Sequence, residues 1–167
     1  MYHTQGKYAG NYIHPTAWIG DNVEMGKGNY IEAGAVIGAA GHLRTHRVSE
    51  MEGTILIGDN NRIGANSVIH YGVEGVTVIG NNNMIMAFVN IGHDVVVRSN
   101  IEICPHTIIC GHSIIEEGVK IKSNCIVSPK RTLSEGCFIY SASNVTQSTE
   151  KGCSYKGSPA KKIEKNF

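Results

Sequence analysis

The sequence predicts an all-β chain wound as a parallel β-helix of hexapeptide repeats, with loop insertions and a short C-terminal cap. Three observations carry that prediction. Aliphatic residues recur every sixth position at Ile13, Ile19, Met25, Ile31 and Ile37, then at Ile57, Ile63 and Ile69. They return at Ile79, Ile85, Ile91, Val97, Ile103, Ile109, Ile115, Ile121, Val127, Leu133, Ile139 and Val145. Fifteen of these twenty positions are isoleucine, and neither a helical period nor strand alternation holds one residue type in phase over such a length. The second observation is a corner signal three residues after the aliphatic: Asn22, Gly28, Gly34, Asn60, Asn66, Gly72, Asn82, Asn100, Gly118, Asn124 and Gly136. Asn and Gly tolerate φ > 0, which a sharp corner needs. The third is that the beat is interrupted in only two places.

Taken in order along the chain, Met1 to Lys7 holds no apolar stretch, and no segment approaches the length of a membrane span. The coils run from about residue 11 to about 150. Each hexapeptide supplies one short strand and a corner, and three make a triangular turn of eighteen residues, so residues eighteen apart stack at about 4.8 Å. The first interruption, about 38–56, lies between Ile37 and Ile57, twenty residues apart and two more than a full coil. It carries His42, Arg44, His46 and Arg47, cations suited to a phosphate. The second, between Ile69 and Ile79, is four residues longer than one hexapeptide. Insertions in a solenoid map to loops on one face, often the binding face. Past Val145 the chain turns polar, and the tail 151–167 is expected to cap the last coil, because an uncapped β-helix exposes pairing edges.

The whole chain, 1–167, reads as a single β-helix domain. A net charge of +1 gives no field for nucleic acid. Five cysteines, with no CxxC pair and an odd count, suit a reducing compartment, and the protein is read as cytoplasmic. Cys125 and Cys137 fall four residues after a core aliphatic, where small inward residues recur.

Adding eighteen along the unbroken run sets His93 beneath Gly111, and Asp94 beneath His112, which lies beneath Lys130. This set contains the parts for acyl transfer: an imidazole base, a carboxylate to fix its tautomer, and a bare peptide N–H at Gly111 for a developing oxyanion. Asp94 and His112 also occupy the slot that Asn and Gly fill elsewhere, so each is equally a corner residue. His70, His106 and Cys110 are further candidates; His106 falls on another face, and His70 reads as a rim residue at the second interruption.

The run Asn90-Ile91-Gly92-His93-Asp94, with Ile109-Cys110-Gly111-His112 and the closing Gly157-Ser158-Pro159-Ala160-Lys161-Lys162-Ile163, resembles the hexapeptide-repeat acyltransferases. Two branches are similar: nucleotide-amino-sugar N-acetyltransferases of bacterial surface-glycan pathways, and UDP-N-acetylglucosamine acyltransferases, matched also at 57–63, Ile69-His70 and 84–94. The resemblance implies a left-handed β-helix, a homotrimer with active sites between subunits, and a general base at His93. It implies Asp94 as orienting partner, Gly111 as N–H donor to the thioester oxygen, and Lys130, Lys161 and Lys162 toward acetyl-CoA or another acyl-CoA. His42, Arg44, His70 and His112 are then expected on the sugar or nucleotide-sugar acceptor. The second branch carries a further histidine where this chain has Asn90 and an Arg-Glu pair where it has Gly64-Ala65, departures that count against acyl carrier protein as donor and make it the alternative to acyl-CoA. Two rivals stand beside this reading. A γ-carbonic-anhydrase-like zinc enzyme would need a His-x-x-x-x-His pair, but His106 and His112 are six apart, so no metal is expected. A non-catalytic β-helix scaffold needs no site at all.

Overall fold

The computed structural model describes residues 6–41 and 53–164. Short strands, most of two residues, alternate with corners and sort into three sheets of nine, seven and six strands. The chain visits the sheets in rotation. In the first, Ile85, Ile103, Ile121 and Ile139 pair in register. In the second the column is Ile91, Ile109, Val127 and Val145, and in the third Ile79, Val97, Ile115 and Leu133. Every pair within these columns is parallel, and the winding is that of a left-handed parallel β-helix of about seven turns. The repeated aliphatics form the interior; Ile31, Ile63, Ile85, Ile103 and Ile121 are fully buried. At about 1.5–3 kcal/mol for each such side chain, their burial is the main favourable contribution to the fold.

The two interruptions share one corner. Ile37 belongs to the second sheet and Ile57 to the third, where Ile57 pairs with Met25 below and Ile79 above. The pairing partners are thus 32 and 22 residues apart, fourteen and four more than one coil. This corrects the arithmetic of two residues beyond a full coil: the first insertion adds fourteen residues to a single corner, because Ile57 takes the very next strand position after Ile37. Both insertions fall at the corner between the second and third sheets, in successive coils. His42 and Arg44 lie outside the described residues.

Corners adopt the left-handed region as expected at Gly28, Gly34, Asn60, Asn66, Asn82, Asn100, Gly118, Asn124 and Gly136. Asn22 and Gly72 do not. Both sit beside an insertion and serve it instead: the Asn22 amide donates to Gly53 O at 2.8 Å, and the Gly72 N–H reaches Thr54 O at 3.4 Å. The same corner slot elsewhere holds Phe88, Asp94, His106, His112, Lys130 and Ala142, all at φ between 56° and 60°.

A buried asparagine ladder runs up the corner that precedes the first sheet. Asn11, Asn29, Asn61 and Asn83 are almost wholly enclosed. Each Oδ1 accepts the backbone N–H of the next rung at 2.8 to 2.9 Å, ending at Ile101 N–H. Their amide groups donate to Gly26, Gly58, Gly80 and Arg98 carbonyls. Above Asn83 the slot becomes apolar, with Ile101, Val119 and Cys137. At the C-terminus, Ser154–Gly157 extends the first sheet in parallel with Phe138–Ile139, and Ala160–Ile163 folds back antiparallel to it. Tyr155 packs into the core there. Among the described residues no helix is long and apolar enough to cross a membrane.

The ladder yields a stability prediction. Asn61→Ala strands the Asn83 N–H and the Gly80 carbonyl, and should destabilise the protein by about 2–4 kcal/mol in denaturant unfolding. Asn124→Gly, at an exposed corner with φ of 59° that glycine adopts readily, should stay within about 0.5 kcal/mol of the parent.

Candidate functional site

The corner between the second and third sheets carries both insertions and the stacked polar side chains. His93 leaves the second-sheet strand Asn90–Ile91 two residues on, and Gly111 occupies the equivalent place one coil later. A Cβ at Gly111 would lie 2.8 Å from both Cε1 and Nε2 of His93, so the ring rests directly on the Gly111 backbone. A Cβ at Gly41 would meet the His93 Cβ at 2.9 Å from the other side. Glycine at both positions lets the imidazole sit between two stretches of main chain. Among the described residues, the Gly111 N–H donates to no protein acceptor.

The His93 Nδ1–H donates to Asp94 Oδ2 at 2.7 Å, in surroundings that leave the two side chains only 15% and 6% exposed. Asp94 is itself seated in a loop of amides. Gly75 N–H donates to its Oδ1 at 2.6 Å, and the Val73 and Glu74 N–H groups straddle both oxygens at 3.1 to 3.2 Å. Its own N–H donates to Thr77 Oγ1 at 2.9 Å. Burial alone would raise the Asp94 carboxyl, but the bonds from His93 and from the three amides outweigh it and hold the group below the ordinary carboxylate range. An ionised Asp94 keeps the imidazole proton on Nδ1, which leaves a lone pair on Nε2, the atom that faces Gly111.

His112 stands edge-on to His93, with ring centroids 5.0 Å apart. Its Nε2 is 3.5 Å from Glu74 Oε2 and 3.8 Å from Asp94 Oδ2. Two shallow clefts flank this row. One, of about 200 Å³, is lined by Gly41, His70, Asn90, Gly92, His93, Ile108, Ile109, Cys110 and Gly111. The other is lined by Glu74, Gly75, Val76, Asp94 and His112. The first is smaller than the roughly 300–1,000 Å³ of a pocket that encloses a whole ligand.

His93, Asp94, Gly111 and His112 therefore meet at one corner. His70, expected at the rim, is buried in the cleft wall instead, where its Nδ1 donates to Ala40 O at 2.7 Å. It is drawn inward because Ala39 pairs with it in the second sheet after a register shift. Lys130 is exposed one rung above His112, its N–H bonded to Gly111 O at 3.0 Å. Lys161 and Lys162 lie on the C-terminal hairpin of the first sheet; Lys162 pairs with Glu150 at 2.5 Å, and among the described residues no hydrogen bond or ion pair joins either lysine to the His93 cluster. His106 stacks flat on Phe88 at another corner, with centroids 4.9 Å apart. Cys110 lines the cleft, and burial pushes its thiol pKa up. Glu74, Gly41 and the amides of 73–75 had no signal in the repeat, because they belong to the insertions.

No protein-family profile matches the chain. A curated relative, the UDP-3-O-acylglucosamine N-acyltransferase of Caulobacter sp. (strain K31), is 30% identical over 160 residues, covering 93% of this chain and 45% of the relative. The UDP-N-acetylglucosamine O-acyltransferase of Nautilia profundicola, whose donor is acyl-carrier-protein-bound, is 34% identical over 106 residues, 62% of this chain and 38% of its own length. The chain thus spans less than half the length of these curated relatives. Among solved structures, the UDP-N-acetylglucosamine acyltransferase of Bacteroides fragilis superposes with a TM-score of 0.87 at 28% identity, over 92% of this chain and 60% of that one. Perosamine N-acetyltransferase of Caulobacter crescentus, solved with CoA and GDP-perosamine, shares the fold at a TM-score of 0.50 and 18% identity, over 92% and 56% of the two chains.

The Asp94 seat has a pH signature. A carboxyl held below its unfolded-chain pKa of about 3.9 contributes stability that is present above that pH and is lost as the pH falls through the folded-state value. In acid unfolding, Asp94→Asn should therefore be less stable than the parent at neutral pH and should lose stability less steeply below about pH 4.

Proposed function

Because the chain is similar over nearly all its length to hexapeptide-repeat sugar acyltransferases, we propose that it transfers an acyl group from a thioester to an amino or hydroxyl group of a sugar or nucleotide sugar in bacterial surface-glycan synthesis. The observation that carries this reading is the His93 imidazole, with its tautomer set by Asp94 and its Nε2 against the bare Gly111 backbone. The acceptor N–H or O–H gives its proton to Nε2 as its lone pair attacks the thioester carbon. The carbonyl electrons move to oxygen, where the Gly111 N–H stabilises the charge. Collapse expels the thiolate, which takes the proton from His93. His112, His70 and the loop around His42 and Arg44 position the acceptor. Acetyl-CoA or another acyl-CoA is the donor of choice, with Lys130, Lys161 and Lys162 toward its phosphates.

The working unit in this reading is a homotrimer. The outer face of the second sheet presents Trp18, Ile108 and Ile126, exposed by 53%, 42% and 42%, and Ile108 also lines the cleft. An apolar face continuous with an undersized cleft is suited to closure by a second copy. That arrangement also gives Lys161 and Lys162, remote within one chain, a route to a neighbour's site. The compartment proposed is the cytoplasm, which an odd count of five cysteines with no CxxC pair suits. Acyl carrier protein as donor is the second reading, supported by the name of the Nautilia relative.

The test is thiol release from acetyl-CoA and longer acyl-CoAs with a panel of amino and hydroxy nucleotide sugars, run beside acyl carrier protein donors. His93→Ala should lower kcat by roughly 10²–10⁴ with the fold retained. Normal turnover by that variant would sink the mechanism. Gly111→Ala should lower kcat as well, because the added methyl displaces the His93 ring.

A further inference from the structure

The row that orients the base also has the composition of a metal site. One ring nitrogen each from His93 and His112 and a carboxylate oxygen of Asp94 lie within 4.8 Å of one another, with Asp94 Oδ2 2.7 Å from His93 Nδ1 and 3.8 Å from His112 Nε2. Glu74 Oε2 extends the row, 3.5 Å from His112 Nε2 and on a side chain 64% exposed, free to swing. Four donors bound to zinc at 2.0–2.1 Å in a tetrahedron stand about 3.3 Å apart. The separations here, 2.7, 3.8 and 3.5 Å along the row, bracket that value. Two imidazoles with two carboxylates favour a zinc-like ion over magnesium or calcium, which take oxygen ligands alone.

We infer that His93, Asp94, His112 and Glu74 form a Zn²⁺ site within a single chain, and that occupancy by the ion switches off the His93 base. The Gly75 N–H on Asp94 Oδ1, with the Val73 and Glu74 N–H groups shared between both oxygens, orients the carboxylate as outer partners orient a metal ligand, and Oδ2 is the oxygen nearer the two rings. Binding breaks one hydrogen bond, His93 Nδ1–H to Asp94 Oδ2. The Nδ1 lone pair then goes to the ion, and in the neutral ring the proton reappears on Nε2. No electron is transferred and no proton is lost from the neutral imidazole. Nε2 thereby changes from acceptor to donor, and a ring with its only free nitrogen protonated cannot take a proton from an acceptor sugar. The binding inference is independent of the acyl-transfer reading; the inhibitory consequence rests on it.

The experiment is calorimetric titration of the metal-stripped full chain with Zn²⁺, with Mg²⁺ as control. One Zn²⁺ per chain should bind and Mg²⁺ should not. His112→Ala and Glu74→Gln should each weaken Zn²⁺ binding by at least about 10-fold, while Cys110→Ser, which removes the thiol in the neighbouring cleft, should bind like the parent. Failure to bind at millimolar Zn²⁺, or unchanged binding in both His112→Ala and Glu74→Gln, overturns the site. In the thiol-release assay Zn²⁺ should abolish turnover of the parent, and Glu74→Gln, measured against its own zinc-free rate, should need about 10-fold more Zn²⁺ for the same fractional inhibition. Full turnover by the zinc-saturated parent overturns the switch. Zinc binding as described in a protein that releases no thiol from any donor leaves the site standing and defeats the transferase reading instead.

Discussion

The molecule depends on hydrogen bonds that run along its long axis, from the peptide of one coil to the peptide of the next. Gly92 N–H reaches Ile109 O at 2.8 Å, Cys110 N–H reaches Val127 O at 3.0 Å, and His112 N–H returns to His93 O at 3.1 Å. This ladder holds parallel strands near 4.8 Å apart. It also converts eighteen positions of sequence into one rung of height. A residue at a corner is therefore always beside the residue one coil away, whatever its chemistry. The isoleucine columns fill the interior, and the asparagine ladder satisfies buried amides where a small polar side chain can bridge successive coils.

The same constraint explains why polar residues tolerate a conformation that suits glycine. Asp94, His112 and Lys130 take φ near 60° because the coil must turn there. Backbone strain of this kind is affordable when the rungs above and below determine the path, and it tends to collect at functional positions. Other corners fill the slot mostly with Asn or Gly, with Phe88, His106 and Ala142 as exceptions between the first and second sheets. At the corner between the second and third sheets it is spent on an acid, an imidazole and an amine, stacked in that order.

The two insertions complete that corner by different means. The loop before the strand Val76–Ile79 wraps its amides around the Asp94 carboxylate. That contact orients the carboxylate that holds the His93 ring and brings Glu74 beside His112. The stub of the first insertion lays Gly41 against the His93 side chain. One carboxylate thus joins loop, base and second imidazole. In the proposed readings the two nitrogens of His93 serve different ends, Nε2 taking the acceptor's proton and Nδ1 the ion, so one ring cannot do both at once.

Much of this was legible in the residues alone. A six-residue period names the β-helix, and adding eighteen along the unbroken run from Ile79 to Val145 places His93 against Gly111 and Asp94 beneath His112. What the sequence could not determine lies in and around the insertions. Ile37 and Ile57 are compatible with more than one winding, and only the pairing of Ile57 with Met25 and Ile79 shows that both loops leave a single corner. Glu74, Gly41 and the buried orientation of His70 follow from that choice, so no periodicity could announce them. Nor could spacing say that Lys161 and Lys162 fold onto the hairpin of the first sheet, whereas His93 follows a strand of the second. The physical reason is the same in each case. Repeat chemistry is local and periodic, so it is written in the order of residues, whereas a loop's destination depends on which distant backbone groups remain to be hydrogen-bonded once the coils have stacked.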